Sequence, residues 1–260
     1  MSTPASPSPR RDLRLYLGLT VLALVLIGAD VLLLSRAEAQ PNETTGLAEA
    51  PAAELPPVTN PEPRTPAGAE VGAGQACTFS TEPPVQNWQT LVDVREPVFG
   101  NRNAGVTVIE FFEPNCPHCA HLAPVMEQVQ QQHARQARFI YKPVIFWPRS
   151  TLQAQALYAA GQENPARFQR LLKLQMERQK PEGFNESEVR ALIRQAGMNA
   201  DAVMQRINGG VYRGHILAYR DAFSRTGSNT VPLLLINGRK VGENRTAACL
   251  GQLIQEAARG

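Results

Sequence analysis

Hydrophobic and polar positions divide the chain into an apolar N-terminal run, a polar stretch and a long C-terminal part with alternating elements. The apolar run covers residues 15–34 and contains one charge, Asp30. A helix of about twenty residues covers about 30 Å, the thickness of the hydrocarbon core of a bilayer. The pattern therefore predicts a transmembrane anchor over residues 15–35.

Beyond residue 77 the apolar pattern predicts a strand, a helix and a second strand. Residues 106–112 are apolar and β-branched, as in a buried strand. Apolar side chains recur every three or four positions across residues 120–132, which indicates one buried face of a helix. Residues 138–145 again have the composition of a strand. This order of elements predicts a parallel βαβ unit with a right-handed crossover.

From residue 151 to about residue 225 the pattern is almost wholly helical. Pro165 suits the first position of a helix, and Asn185 or Ser187 could cap the next one. Glycine and proline predict breaks between the helices at Gly161, at residues 164–165, at residues 181–183 and at residues 209–210.

The last segment combines a hairpin with a helix. Two apolar stretches, residues 231–236 and 239–241, flank Asn237 and Gly238, and an Asn-Gly pair is a strong signal for a tight turn between strands. A short helix is predicted over residues 246–258.

Residues 36–76 differ in amino-acid composition from the rest of the chain. The segment is rich in Ala, Pro, Glu, Thr and Gly and almost lacks aromatic and large aliphatic residues. It cannot bury enough apolar surface to offset the entropy of ordering, so we expect a disordered linker. The globular part then covers residues 77–260. A formal net charge of +3 is small for 260 residues and argues against nucleic-acid binding.

Charge around the apolar run predicts its orientation. Basic residues are concentrated before the run, with one close after it: Arg10, Arg11 and Arg14, then Arg36. By the positive-inside rule, residues 1–14 stay in the cytoplasm and the rest of the chain is exported. Residues 37–39, Ala-Glu-Ala, resemble a cleavage site, so a cleavable signal peptide is the alternative to a retained, single-pass anchor in the inner membrane. Both interpretations place the globular part on the periplasmic or another extracytoplasmic side.

The candidate chemistry lies in Cys116-Pro117-His118-Cys119, between the first strand and the following helix. A sulfur at a helix N-terminus faces unpaired backbone N–H groups, which favour the thiolate that attacks disulfides. We expect Cys116 to be the nucleophile and Cys119, one turn further on, to be the more buried resolving thiol. His118 can stabilise the Cys116 thiolate by charge or by a hydrogen bond. A Cys/His metal site is the alternative, but the sequence offers no second cluster of ligands.

Two further cysteines, Cys77 and Cys249, stand at the start of the globular part and in its last helix. An exported protein with an even number of cysteines favours pairing, so we predict a structural disulfide between these two. In the alternative interpretation, Cys249 is a small buried apolar residue and Cys77 is a free thiol.

Over residues 94–260 the chain resembles the DsbA-like thiol:disulfide oxidoreductases of the thioredoxin superfamily. The resemblance rests on a strand containing a glutamate, a Cys-x-x-Cys motif between strand and helix, a helical insertion, and a Val-Pro pair that opens a strand ending in Asn-Gly. These features stand at Glu110, residues 116–119, Val231-Pro232 and Asn237-Gly238.

This resemblance implies an α/β thioredoxin fold with an inserted helical subdomain at about residues 150–225. It also implies a cis bond before Pro232, which leaves the backbone of Val231 free to pair with an extended substrate strand. Glu110 takes the position of a buried carboxyl beneath the disulfide, with a suggested role in proton transfer to or from Cys119.

Motif and resemblance together predict an extracytoplasmic enzyme that donates the Cys116–Cys119 disulfide to reduced exported polypeptides. Reoxidation would fall to a membrane quinone-linked partner of the DsbB or vitamin-K-epoxide-reductase type, and no cofactor or metal is expected. A reductase or isomerase on the same fold, for instance in cytochrome maturation, is an alternative, although His118 and Val231 favour an oxidase. A non-catalytic chaperone or binding module is a more distant one.

Overall fold

A computed structural model describes residues 76–260 of the chain. The predicted cytoplasmic N-terminus (1–14), the predicted anchor (15–35) and all but the last residue of the predicted linker (36–76) lie outside the described residues. Across residues 76–260, no helix combines the length and the apolar character that a membrane crossing requires.

A mixed five-stranded sheet forms the centre of this part of the chain, in the order β1-β3-β2-β4-β5. Strand β2 pairs in parallel with β3 and antiparallel with β4, which confirms the predicted parallel pairing of the first two long strands. The short first strand was not anticipated in the sequence and pairs antiparallel with β3. The strands are β1 (Phe99–Gly100), β2 (Val106–Phe112), β3 (Ala137–Pro143), β4 (Leu233–Ile236) and β5 (Arg239–Lys240).

Seven α-helices surround the sheet within the described residues. Helix α1 connects β2 to β3, α7 follows the hairpin β4–β5, and α2 to α6 form the helical subdomain inserted between β3 and β4. The helices are α1 (Pro117–His133), α2 (Thr151–Glu163), α3 (Pro165–Glu177), α4 (Glu186–Gln195), α5 (Ala200–Asn208), α6 (Arg213–Ser224) and α7 (Ala247–Arg259). The predicted α/β thioredoxin fold with a helical insertion is confirmed.

Strand β2 is buried along its whole length because both faces of the sheet are covered. On one face, Val108 joins a large apolar cluster that includes side chains of α1, α7 and the helical subdomain. On the other face, Phe111 packs against Phe223 of α6, with ring centroids 5.6 Å apart. The strand that leads to the cysteines is therefore held from both sides.

Most of the predicted helix boundaries agree with the structure. Pro165 is the first residue of α3, and the side chain of Asn164 caps that helix by accepting from the N–H of Ala166. Asn185, rather than Ser187, caps α4 and forms a capping box with Glu188.

Two boundary predictions were wrong. Gly161 does not break a helix but lies inside α2, where a Cβ would come within 2.5 Å of the ring of Pro97. A glycine at this position lets Pro97 pack against the helix, and the residues around Gly161 in the sequence do not reveal this contact. The first helix begins at Pro117 rather than at Ala120, because proline is well suited to the first helical position.

The predicted hairpin and the predicted disulfide are both present. Asn237 and Gly238 have φ of 46° and 81°, as expected for the two central residues of a tight turn between strands. Cys77 and Cys249 form a disulfide that ties the first described residues to α7, with their Cα atoms 5.4 Å apart.

Candidate active site

The active-site loop, residues 113–116, connects the end of β2 to the start of α1. Cys116 is the N-cap residue of α1, with an extended backbone at φ −85° and ψ 120°. Its N–H donates to the carbonyl of Glu113 at 3.0 Å, which closes the loop. Pro117 follows as the first helical residue, where its missing N–H costs nothing. The sulfur of Cys116 therefore sits at the open N-terminus of a long helix.

Both cysteines of the motif are free thiols in this structure, but they differ in exposure. Cys116 is 7% exposed and Cys119 is fully buried, so Cys119 is the more buried of the two thiols, as expected from the sequence. His118 and Pro117 are exposed between them. In residues 76–260 there is no cluster of three or more His, Cys, Asp and Glu side chains that could hold a metal ion.

Hydrogen bonds polarise the pair of thiols. The Cys119 thiol donates to Cys116, and this bond is the largest cause that lowers the pKa of Cys116 to about 6. Backbone N–H groups of Cys119 and His118 and the charge of His118 act in the same direction, while burial opposes them. The pKa of Cys119 is raised far above its usual range, because its proton is held by Cys116 and because it is buried. At neutral pH the negative charge therefore rests on the reachable sulfur.

Glu110 lies on β2 beneath the thiol pair and is 4% exposed. Burial raises the pKa of its carboxyl to about 8, and the nearby charge of Arg245 opposes this shift. The charge of Glu110 also contributes to the raised pKa of Cys119, so the two groups are electrostatic neighbours. A carboxyl that keeps its proton at neutral pH can supply it to a departing Cys119 thiolate.

Val231 and Pro232 lie beside Cys116 at the start of β4. The bond between them is cis, as the resemblance implied. In its protonated form the Cys116 thiol donates to the carbonyl of Val231 at 3.9 Å, and the carbonyl of Pro232 accepts from Nη1 of Arg245 at 2.9 Å. Within the described residues, the N–H of Val231 has no hydrogen-bond partner. This backbone is open to pairing with an added strand.

A groove of about 340 Å³ adjoins this backbone. Its walls combine apolar side chains with groups of both charges, including His118, Leu122, Val125, Val231, Glu243 and Arg245. The groove therefore places apolar and charged side chains next to the Val231 backbone.

Two polar residues near the cysteines, the buried Glu113 and the half-buried Arg245, were missed in the sequence. Glu113 is fully buried and directly precedes the Pro114-Asn115 pair of the active-site loop. Arg245 holds the Pro232 carbonyl from the far side of the hairpin. A carboxyl three residues before Cys116 was a usable signal for Glu113, whereas nothing local marks Arg245.

The two cysteines can carry a thiolate or form a disulfide, and they lie beside a cis-proline at the start of β4. These features identify the chain as a thiol-disulfide oxidoreductase. The chain belongs to the thioredoxin family, whose signature matches residues 93–256.

Solved structures of DsbA type share the fold. BdbD from Bacillus subtilis is 20% identical, with a TM-score of 0.57 over 64% of this chain and 94% of that chain. The thiol-disulfide exchange protein alpha-DsbA2 from Wolbachia pipientis is 18% identical, with a TM-score of 0.59 over 66% and 92%. A thioredoxin-like oxidoreductase from Silicibacter pomeroyi is 23% identical, with a TM-score of 0.57 over 65% and 96%. No curated protein matches the chain in sequence.

Proposed function

We propose that this chain is an extracytoplasmic thiol:disulfide oxidase that donates the Cys116–Cys119 disulfide to reduced exported polypeptides. The observation that supports the direction is the stabilised thiolate on Cys116, whose pKa is lowered to about 6. Thiolate stabilisation favours the reduced dithiol, so the disulfide is readily given away.

The reaction begins on the oxidised enzyme. A substrate thiolate attacks the sulfur of Cys116, the bond between Cys116 and Cys119 breaks, and its electron pair passes to Cys119. The carboxyl of Glu110, with its pKa raised to about 8, supplies the proton that Cys119 takes up. A mixed disulfide between the substrate and Cys116 remains.

The second half releases the product. Another thiolate of the substrate attacks the substrate sulfur in the mixed disulfide, and Cys116 departs as a thiolate. The substrate has then lost two electrons to the dithiol. The Val231 backbone and the adjoining groove hold the substrate strand during both steps.

A membrane quinone-linked protein of the DsbB or vitamin-K-epoxide-reductase type would accept these two electrons and restore the disulfide. The Arg-flanked apolar run at residues 15–34 supports a retained anchor that keeps the enzyme near such a partner. If the anchor is retained, the full-length chain should stay in the membrane pellet after alkaline carbonate treatment. If the catalytic part is extracytoplasmic, a protease added on that side of the membrane should digest it. Recovery of the chain in the soluble fraction would count against the anchor.

The direction of exchange is tested by refolding a reduced, disulfide-containing substrate with the oxidised full-length chain. Wild type should speed refolding and Cys116→Ala should not, so equal rates would refute the proposal. A reduction potential near or above about −180 mV supports an oxidase, and one near about −270 mV supports the reductase alternative.

A further inference from the structure

We propose that Glu113 is a positioning residue that moderates the oxidising strength of the dithiol, because it holds a carboxylate beside Cys116 and fixes the loop that bears it. The inference rests on the proposed redox function and concerns its driving force.

The backbone places Glu113 against the nucleophile. It is the first residue after β2, it is fully buried, and its carbonyl accepts the N–H of Cys116 at 3.0 Å. The backbone of Glu113 is therefore fixed at the N-terminus of α1, where the Cys116 thiolate forms.

The side chain is fixed at both oxygens. Oε2 accepts the N–H of Asn115 at 2.5 Å, and Oε1 accepts the hydroxyl of Ser150. Nδ2 of Asn115 then donates to Ser150 at 2.8 Å and to Oε1 of Gln153 at 2.9 Å. These bonds join the active-site loop to the start of the helical subdomain and hold the carboxylate in one orientation within the loop that carries Cys116.

The electrostatics follow from this geometry. Burial is the main cause that raises the pKa of Glu113 to about 6, and the bonds from Ser150 and Asn115 oppose it. Of its charged neighbours, Cys116 raises this pKa further and Arg149, from the turn before α2, lowers it. A pairwise charge interaction is reciprocal. The ionised carboxylate therefore disfavours the Cys116 thiolate.

This repulsion acts on the reduced state of the enzyme. In the disulfide Cys116 carries no charge, so the repulsion between the thiolate and the Glu113 carboxylate is absent there. In exchange with glutathione, the dithiol and glutathione disulfide form the enzyme disulfide and two molecules of glutathione. Neutralising Glu113 stabilises the dithiol side of this equilibrium, which makes the enzyme disulfide a stronger oxidant.

The first test is Glu113→Gln in the full chain, because the amide keeps the size of the side chain and removes its charge. The pKa of Cys116 should fall by about one unit, and the glutathione equilibrium should shift about tenfold toward the dithiol, about 30 mV. Glu163→Gln is the matched control, since it removes an exposed carboxylate that pairs with Arg167 at the end of α2. The control should leave the equilibrium unchanged within about twofold.

Glu113→Asp separates charge from geometry. It keeps a carboxylate in the loop but shortens its reach to Ser150, so we expect lower stability and an equilibrium within about threefold of wild type. An unchanged equilibrium in Glu113→Gln, or the same shift in both variants, would overturn the inference. The reduction potential of the wild-type protein tests the oxidase proposal, whereas the variants test the role of Glu113. Either proposal can therefore fail without the other.

A measurement on the wild type keeps the inference testable if Glu113→Gln does not fold. Carbon NMR of the Glu113 carboxyl should give a higher pKa in the dithiol form than in the disulfide form, because only the former can carry a thiolate. Equal pKa values in the two redox states would refute the repulsion.

Discussion

At the scale of single residues, the neighbouring Cys119 thiol is the largest of several influences that lower the pKa of Cys116. The thiol of Cys119 donates to Cys116 and supplies the largest share of its thiolate stabilisation. The sequence directed attention to the helix N-terminus and His118, which also contribute but rank lower. The buried thiol therefore also contributes to the acidity of its neighbour, besides the resolving role that we propose for it.

We predict that the reduced protein shows thiolate absorbance at 240 nm with a midpoint near pH 6, the pKa of Cys116. Cys119→Ala removes the sulfur hydrogen bond and should raise this midpoint by about one to two units, because bonds to charged groups contribute about 1.5–3 kcal/mol. Cys116→Ala should lack the transition. A midpoint that stays near pH 6 in Cys119→Ala would contradict this account.

Glu110 makes stability depend on pH. Its ordinary value of 4.5 applies to the unfolded chain, and burial raises the folded pKa to about 8. As pH rises from 4.5 to 8 the unfolded chain ionises first, so the stability of the fold falls across this window and then levels off. The proton needed at the active site is thus retained at the expense of stability.

Glu110→Gln should therefore unfold like wild type at pH 4 and be the more stable protein at pH 8. The difference should reach a few kcal/mol, since each unit of pKa difference corresponds to about 1.4 kcal/mol. Urea unfolding at both pH values measures it. A variant that is less stable than wild type at pH 8 would show that the carboxyl is ionised and well paired in the fold.

At the scale of elements, two loops are held together behind the site. Arg245, in the loop between β5 and α7, donates to the carbonyls of Gly242 and Pro232. It thereby connects the hairpin to the backbone that faces Cys116. This contact orients the backbone that we propose binds the substrate strand.

Arg245→Met should therefore weaken substrate binding more than chemistry. We expect KM for a reduced peptide to rise roughly three- to tenfold, about the loss of one hydrogen bond, and kcat to change less, because the proton donor Glu110 loses only the influence of Arg245 that opposes the effect of burial on its pKa. Steady-state oxidation of a fluorescent dithiol peptide provides both constants. A fall in kcat with unchanged KM would place Arg245 in the chemical step instead.

The elements also show where sequence patterns suffice. Strand β2 was predicted with the bounds it has, and the Asn237-Gly238 hairpin was recognised, because strand pattern and turn type depend on adjacent residues. Gly161 was misinterpreted because its constraint is the distant ring of Pro97. Glu113 was missed because its partner Ser150 stands 37 residues away and is brought close by the fold alone.

At the scale of the whole molecule, the Cys77–Cys249 disulfide closes a loop of 172 residues. It connects the first described segment, which pairs through Phe79 with Val241 next to β5, to the helix α7. Reduction of this bond leaves the folded contacts in place but enlarges the freedom of the unfolded chain.

Replacing both Cys77 and Cys249 with Ser should lower the free energy of unfolding by about 3–5 kcal/mol, as chain entropy suggests for so long a loop. The glutathione equilibrium of Cys116 should not change, because the structural disulfide is separate from the dithiol. Guanidinium unfolding at fixed redox state measures the loss. Unchanged stability would mean that Cys77 and Cys249 do not form this disulfide in solution.

The unequal exposure of the two active-site sulfurs restricts the order of events during turnover. Because Cys116 is 7% exposed and Cys119 is fully buried, the polypeptide and the reoxidant of the proposed reaction would both react at Cys116 and could not bind there together. Each enzyme molecule would then react with the polypeptide and the reoxidant in turn, and the two would compete for Cys116. Varying the concentrations of the polypeptide and the reoxidant should give parallel lines in double-reciprocal plots. Intersecting lines would show that the enzyme can bind both at once.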